Sequence, residues 1–419
     1  MSYRKLGDLV KFVSNKNTDG NATVLFGINI DKFFMPSVAN IIGVDLKKYK
    51  VVERHQFACN RMHVGRDERL PISMSTFDYN FIVSPAYDVF EVITSDVLPE
   101  YLMLWFRRKE FDRQCWFYTD ADVRGGLHLD ALKSIEIKVP SIEEQRQIVA
   151  QYHSISNKIK VNEQICEKLE ATAQALYKHW FVDFEFPVGH CEESGTNDKA
   201  IPALVAEERS LYATAPKGYK SSGGKMVWNE ELAKEIPEGW EVGILKDIFD
   251  NFDSKRKPIT ASDRIKEKGL YPYYGAAALM DYIDDYIFDG TYILLGEDGT
   301  VMNNDGSPVL QYVWGKFWVN NHAHVLKGKN GFDENSLYLL LKNTNVSDII
   351  TGGVQLKINQ GNLNNLSIIK PSENLLLAFN KEIYTKFEII KNYKEQNQKL
   401  TQLQSLLLSR LAVGEEVSA

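Results

Sequence analysis

The chain has 419 residues, 44% of them hydrophobic and 25% charged, with a formal net charge of −7. Its length allows two or three domains, each with a core of its own, and its composition is that of soluble globular protein. No apolar run approaches the ~18 residues of a membrane span, the opening MSYRKLGDLVKF lacks a secretory core, and the net acidity argues against nonspecific coating of nucleic acid.

Residues 1–139 read as a first globular segment. Leu6-Gly7-Asp8-Leu9-Val10 predicts a short opening helix. The runs VLFGINI, NFIVSPAYDVFEVI and SIEIKV predict strands, and YLMLWFRRKEFDRQCW predicts an amphipathic helix. Between Lys47 and Leu70 the chain is dense in Lys, Arg, His and Asn with aromatics interleaved, a composition that grips phosphates and reaches base edges. The candidate contacts there are Asn60, Arg61, His63, Arg66 and Arg69, joined by Lys16 and Arg124. Arg pairs bidentately with guanine and Asn with adenine, while neutral His donates or accepts. Asp67 and Glu68 sit among them, so each group reads equally as a DNA contact or as ion-paired surface.

Residues 140–187 predict a long helix. Pro140 and Ser141 precede Glu144 in a capping-box pattern, and no Pro or Gly follows until the chain has passed Trp180 and Phe181. Ile148, Tyr152, Ile155, Ile159, Asn162, Cys166, Leu169, Ala173, Leu176 and Trp180 recur at alternating steps of four and three, a heptad seam that calls for a second long helix. Forty-odd residues at about 1.5 Å each make a rod of roughly 60 Å. Tyr177, Trp180 and Phe181 at its end read either as a docking patch for another chain or as packing against their own head.

Residues 188–238 shift to Gly, Ser, Pro and acidic residues and read as a connector with irregular structure. Residues 239–370 then restart the plan, with Leu245-Lys246-Asp247-Ile248 answering Leu6-Gly7-Asp8-Leu9 and β-rich runs YPYYGAAALMDYI, YILLGEDG and GKFWVNNHAHVL. The candidate contacts in this segment are Lys255, Arg256, Lys257, Tyr273, Tyr274, Lys316, Asn320, Asn321 and His322, with Gln355 and Lys357 in the Gly-Gly loop. One of Tyr273 and Tyr274 is expected in the core. His322 and His324 share a strand face, but no Cys or carboxylate lies at suitable sequence spacing, which favours hydrogen-bonded histidine over zinc.

Residues 371–413 predict the second long helix, followed by a tail at 414–419. Its seam, Phe379, Ile383, Lys386, Ile390, Tyr393, Asn397, Leu400, Gln404, Leu407 and Leu411, lies 231 residues after the first, as does its Pro371–Ser372 start. Gly125-Gly126-Leu127 likewise answers Gly352-Gly353-Val354. Two unlike heads thus sit on two matched rods, an internal repeat. Asn162 and Lys386, polar at apolar seam positions, either fix the register or open the seam to a partner. The four cysteines, Cys59, Cys115, Cys166 and Cys191, are scattered without metal-type spacing, as in a reducing cytoplasm.

The doubled plan resembles the specificity subunit of type I restriction–modification enzymes. The residues that carry the likeness are the Gly-Gly loop, strand and Pro-Ser helix start of both halves, SIEEQRQIV, LYKHWFVDFEFP, YKSSGGKMVWNEELAKEIPEGWEVG and YPYYGA…DG…GKFWVNNHAHVL, spread over essentially the whole chain. The resemblance implies a mixed α/β (α+β) fold: two target-recognition domains, 1–139 and 239–370, separated by two long helices in an antiparallel coiled coil with a pseudo-twofold internal repeat. Each domain would read half of an asymmetric double-stranded DNA site in the cytoplasm. The coil would set the spacer and dock two modification (methyltransferase) subunits, to which restriction (motor-nuclease) subunits attach. The family's subunit has no catalytic activity or cofactor of its own; S-adenosylmethionine, ATP and Mg belong to its partners.

Catalytic readings of the residues are weaker. There is no GxxxxGK[ST] loop for a motor ATPase, and Ser84-Pro85-Ala86-Tyr87 only faintly echoes an amino-methyltransferase tetrapeptide. Asp122 or Asp130 with Glu136-Ile137-Lys138 is the nearest pattern to a metal-dependent nuclease, although alternating Glu136 and Lys138 also suits a solvent-facing strand. A two-headed protein-binding scaffold is the third class; steep salt dependence would mark a DNA reader instead.

Overall fold

The computed structural model describes residues 2–39, 43–62, 64–119, 125–187, 218–353 and 355–413. It divides into two units, Met1–Glu163 with Lys394–Ala419, and Gln164–Tyr393. The fold class is the expected one, mixed α/β with one plan used twice.

In the first unit the chain starts as a strand, Ser2–Lys5, which the sequence reading left unassigned. It pairs antiparallel with Glu136–Val139, Ser2 opposite Val139. Leu6 then donates its N–H to the Ile135 carbonyl at 2.9 Å and opens the short helix Leu6–Leu9. Leu6 and Leu9, three apart and so on one helical face, are both fully buried. An all-antiparallel sheet follows in the order Val10–Val13, Asp88–Val92, Phe57–Cys59, Ile72–Met74. Phe57 and Phe90 stack across neighbouring strands at 5.0 Å, and Phe106 closes on both edge-to-face. The predicted helix YLMLWFRRKEFDRQCW is two helices, Pro99–Phe106 and Lys109–Phe117. The break falls at Arg108, which is extended (φ −71°, ψ 140°) and lays its buried guanidinium 4.2 Å from the centre of the Trp105 ring.

The second unit repeats this frame. Glu241–Ile244 pairs antiparallel with Ser367–Lys370, and Leu245 donates to the Leu366 carbonyl at 2.8 Å before the short turn Leu245–Asp247. Its antiparallel sheet runs Phe249–Asn251, Ala323–Gly328, Tyr292–Gly296, Leu310–Val313, which is the strand order of the first head. A second sheet, in the order Leu279–Ile283, Lys268–Tyr274, Lys316–Val319, Phe288–Asp289, belongs to this head. The connector begins outside the described residues, and its described part contains the hairpin Met226–Asn229 with Lys234–Pro237.

The first long helix runs Ile142–Tyr177 and ends in a π turn, Lys178–Val182; the second runs Glu373–Val413. The capping box is present: Ser141 N–H donates to Glu144 Oε2 at 2.8 Å, and Glu144 N–H to Ser141 Oγ at 3.3 Å. Every predicted seam position of both helices is buried or half-buried. Within the first unit, Gln404 Nε2 donates to Ser156 Oγ at 2.6 Å, and Asn162 Nδ2 donates to Gln396 Oε1 and Asn397 Oδ1, each at 2.7 Å. Within the second, Cys166 contacts the Ile390 carbonyl and Tyr177 packs on Phe379. Partner numbers fall as first-helix numbers rise, so the helices are antiparallel. Asn162 does fix register through its cross-helix bonds. Lys386 bonds Glu382 on its own helix.

The docking patch expected at Tyr177, Trp180 and Phe181 is corrected by their burial. All three are at most 8% exposed, and their rings pack on Phe379, with Phe181 also on Trp240. Cys59, Cys115 and Cys166 are buried thiols; Cys191 and the tail 414–419 lie outside the described residues.

Candidate nucleic-acid interface

In the second head, four loops meet at one end of the sheet. Strand Tyr292–Gly296 ends in Glu297-Asp298-Gly299. Glu297 N–H donates to the His322 carbonyl at 2.8 Å, and Ile358 N–H donates to the Glu297 carbonyl at 2.9 Å. Gly299 N–H reaches Leu356 O at 3.0 Å, and Asn320 N–H reaches Tyr274 O at 3.1 Å. The backbone thereby ties the Gly-Gly loop, the turn at Asn320–His322 and the end of strand Lys268–Tyr274 to Glu297–Gly299. Asn321, His322, Gln355 and Lys357 are exposed on this end.

Beneath them lies a charge network. Glu297 accepts from Arg256 Nη1 at 2.7 Å and pairs with Lys357 Nζ at 3.1 Å. Asp253 pairs with His324 Nδ1 at 2.5 Å, and His324 Nε2 faces the Ile358 carbonyl at 2.8 Å. Both ring nitrogens of His324 thus face oxygen atoms at hydrogen-bond distance. Burial works against ionisation of Asp253, but hydrogen bonds led by His324 outweigh it and hold the carboxyl below its ordinary value. Burial opposes Glu297 likewise, and Arg256 and Lys357 outweigh it in the same direction.

The ligand atoms of Asp253, Glu297 and His324 lie within 4.8 Å of one another, a spacing compatible with a metal. The guanidinium of Arg256 and the ammonium of Lys357 already neutralise those carboxylates, so the arrangement fits a closed ion network better than a cation site. The expectation that no carboxylate neighbours the histidines is corrected: Asp253, Glu297 and Asp298 reach them from distant parts of the chain. Both histidines are hydrogen-bonded: His324 is 1% exposed, whereas His322 is exposed and bonded to Asp298 at 2.7 Å.

Three second-head candidates are structural. Arg256 spends its guanidinium on Asp253, Glu297 and the Ala323 carbonyl. Asn320, 4% exposed, shapes the turn by accepting from His322 N–H. Tyr273, 1% exposed, is the core tyrosine, while half-buried Tyr274 packs on Phe317. Lys255 and Lys257 are exposed on either side of Arg256. Lys316 starts the strand that ends before Asn320, away from the convergent loops, and lies 4.4 Å over the Tyr286 ring.

The first head builds the matching end from different residues. Leu127 N–H donates to the Arg61 carbonyl at 3.0 Å, which is the bond Ile358 makes to Glu297. Gly65 N–H donates to Gly125 O at 3.0 Å and brings the helix Val64–Asp67 alongside. Arg61 itself is held by Asp88 at 2.5 Å and by the Leu127 carbonyl. Asn60 Oδ1 accepts from Met62 N–H at 3.1 Å, and exposed Arg66 forks onto Asp67 at 2.6 and 3.0 Å. Asn60, Arg61 and Arg66 are brought together at this end. Arg69 pairs with Asp31, and the backbone of Lys16 bridges that of Lys50. His63 and Arg124 lie outside the described residues.

Sequence reasoning missed Glu297 and Asp298, which stand where the first head has Arg61 and Met62. The 231-residue offset sets Leu127 opposite Ile358 but Arg61 opposite Tyr292, so the match of Arg61 to Glu297 comes from the backbone bonds and not from the sequence. It also missed the buried pair of Lys32 and Asp112, 2.8 Å apart.

The solvent-facing strand expected at Glu136–Lys138 is corrected: Glu136 is exposed, but Lys138 is 8% exposed. Asp122 lies outside the described residues. Among the described residues, the grouping of three ligand side chains lies at Asp253, Glu297 and His324, in the other head.

The family model of the type I restriction modification DNA specificity domain matches residues 2–171 and again 237–405. A type I restriction enzyme HindI specificity subunit from Haemophilus influenzae is 26% identical, over 98% of both chains. A type I restriction enzyme MjaIX specificity subunit from Methanocaldococcus jannaschii is 29% identical over 76% of this chain and 69% of its own. The crystal structure of a type I restriction–modification S subunit from M. genitalium superposes with a TM-score of 0.50 at 13% identity, covering 98% of this chain and 95% of that one.

Proposed function

The chain belongs to the type I restriction modification DNA specificity family, and from that premise we propose that each head reads one half of an asymmetric, bipartite double-stranded DNA target. The observation that carries this reading is one frame bearing two unlike edges. The bonds Leu6–Ile135 and Leu245–Leu366 repeat, as do Leu127–Arg61 and Ile358–Glu297, yet the residues they present differ in charge and shape. Identical heads demand a palindrome; unlike heads on a repeated frame demand two different blocks.

In this reading the exposed groups Arg66, Lys255, Lys257, His322, Gln355 and Lys357 supply the contacts to DNA. Arg61, Arg256 and Asn320 position the loops instead. The antiparallel helices set the spacer and dock two methyltransferase subunits, through which motor-nuclease subunits join. The chain itself carries out no chemistry; S-adenosylmethionine, ATP and Mg act on those partners in the cytoplasm. No helix among the described residues is long and apolar enough to cross a membrane.

The test is the methylome of a host expressing this chain with its modification subunit, against one lacking this chain. A new motif of two specified blocks around an unspecified spacer is the expected result. An assembled, active complex that adds no such motif would overturn the reading.

A further inference from the structure

We propose that the turn Gly275–Ala278, with Leu279 and Met280 after it, is a methyl-reading tip through which the second head recognises thymine by its C5-methyl group. The inference rests on the DNA-reading role proposed above and assigns it a base.

The turn is seated firmly beside the convergent loops. Asn320 N–H donates to Tyr274 O at 3.1 Å. A Cβ on Gly296 would stand 3.3 Å from the Ala276 carbonyl, so the absence of a side chain there lets the turn approach Glu297–Gly299. Three of the turn's four carbonyls are already used. Gly275 N–H donates to Ala278 O at 2.9 Å, and Gln311 Nε2 donates to Gly275 O at 2.9 Å and Ala276 O at 3.4 Å. What its exposed side chains offer outward is hydrocarbon, because the Met280 thioether accepts from Asn320 Nδ2 at 3.5 Å. Ala277 and Ala278 are exposed, with Leu279 at 41% and Met280 at 53%.

That chemistry selects a ligand. In the major groove guanine, cytosine and adenine are told apart by donors and acceptors, whereas thymine alone adds a methyl group. Side chains with no donor cannot discriminate by hydrogen bonding, so this tip discriminates by apolar contact. The apolar exposure lies next to His322, Gln355 and Lys357, the polar groups of the same end. It is therefore continuous with the surface assigned to DNA.

The experiment uses the chain assembled with its modification subunits and duplexes carrying the methylated motif. Each thymine of the second block is replaced in turn by deoxyuridine, which removes only the methyl. The expected result is one position at which deoxyuridine lowers the methylation rate about fourfold, the worth of one buried methyl-sized contact. The difference should vanish in Ala277→Gly or Ala278→Gly, closing a double-mutant cycle between protein and DNA methyl groups. An unchanged melting temperature of each variant shows that the head still folds. Deoxyuridine effects that persist undiminished in both variants, or that occur at no thymine of the second block, overturn the methyl-reading tip while leaving the bipartite motif intact. Absence of any bipartite motif instead overturns the DNA-reading role on which it stands.

Discussion

Arg61 and Glu297 occupy one position of the repeated frame with opposite charge, and each recruits a counter-charge from the neighbouring strand or loop. Arg61 takes Asp88; Glu297 takes Arg256 and Lys357. Compensation of this kind keeps a buried charge tolerable and makes it sensitive to loss of its partner. Asp253 and Glu297 are both held below their ordinary values, so their contribution is present above the unfolded carboxylate value, about 4, and is lost as pH falls through the lower folded values. Acid titration of thermal stability should therefore show a steep low-pH limb, flattened in Asp253→Asn. An unaltered limb in that variant would mean that Asp253 contributes no pH-dependent stability. In the first head, burial pulls the Lys32 ammonium below its ordinary value against the attraction of Asp112, which also accepts from Leu70 N–H. Asp112→Ala leaves that ammonium buried without its carboxylate and should cost about 3–5 kcal/mol, read as faster hydrogen exchange across Phe57–Met74. Single residues were the least legible scale. Arg256, Asn320 and Tyr273 carry the residue types of a DNA contact; Glu297, which claims Arg256, is brought in by the tertiary fold, whereas Asn320 is claimed two residues on by the His322 N–H. Lys32 and Asp112 lie 80 residues apart, with no local pattern to join them.

At the scale of elements, the two helix starts show how far a repeat can be read. The Pro-Ser pair occurs twice, but Glu144 is matched by Leu375, so the reciprocal box forms only at Ser141. Hydrogen bonds from the Ser141 hydroxyl and N–H hold the Glu144 carboxyl below its usual range, whereas Ser372 Oγ is buried without a hydrogen-bond partner. Ser141→Ala should cost about 1 kcal/mol, as loss of a cap does. Ser372→Ala should be neutral or slightly stabilising, because it deletes an unsatisfied buried hydroxyl. Urea denaturation of the two variants side by side checks the contrast; equal losses would refute it. The helices were legible because a long heptad pattern without Pro or Gly leaves few alternatives, and every seam position is at least half-buried. The strand Ser2–Lys5 was not, since its partner Glu136–Val139 lies at the far end of the head and four residues carry little periodicity. The double helix at Pro99–Phe117 was read as one because its break comes from buried Arg108, with neither Pro nor Gly at the site.

At the scale of the whole molecule, the repeated frame makes the heads interchangeable parts. Each head enters and leaves through one antiparallel strand pair, Ser2–Lys5 with Glu136–Val139 and Glu241–Ile244 with Ser367–Lys370. Each is followed by a long helix, and those helices pair antiparallel within each unit. A chain in which residues 6–135 are replaced by 245–366 keeps both strand pairs, the Leu–carbonyl bond that follows them and both helices. Its two heads would then be alike, on rods of opposite direction, and opposite direction on antiparallel strands of DNA is the condition for an inverted repeat. The methylome of a host carrying this chimera should show the second block twice, in inverted orientation, around an unspecified spacer of the wild-type length. Retention of the first block would show that reading is not confined to the exchanged residues. A changed spacer would show that the exchanged residues contribute to the distance between blocks.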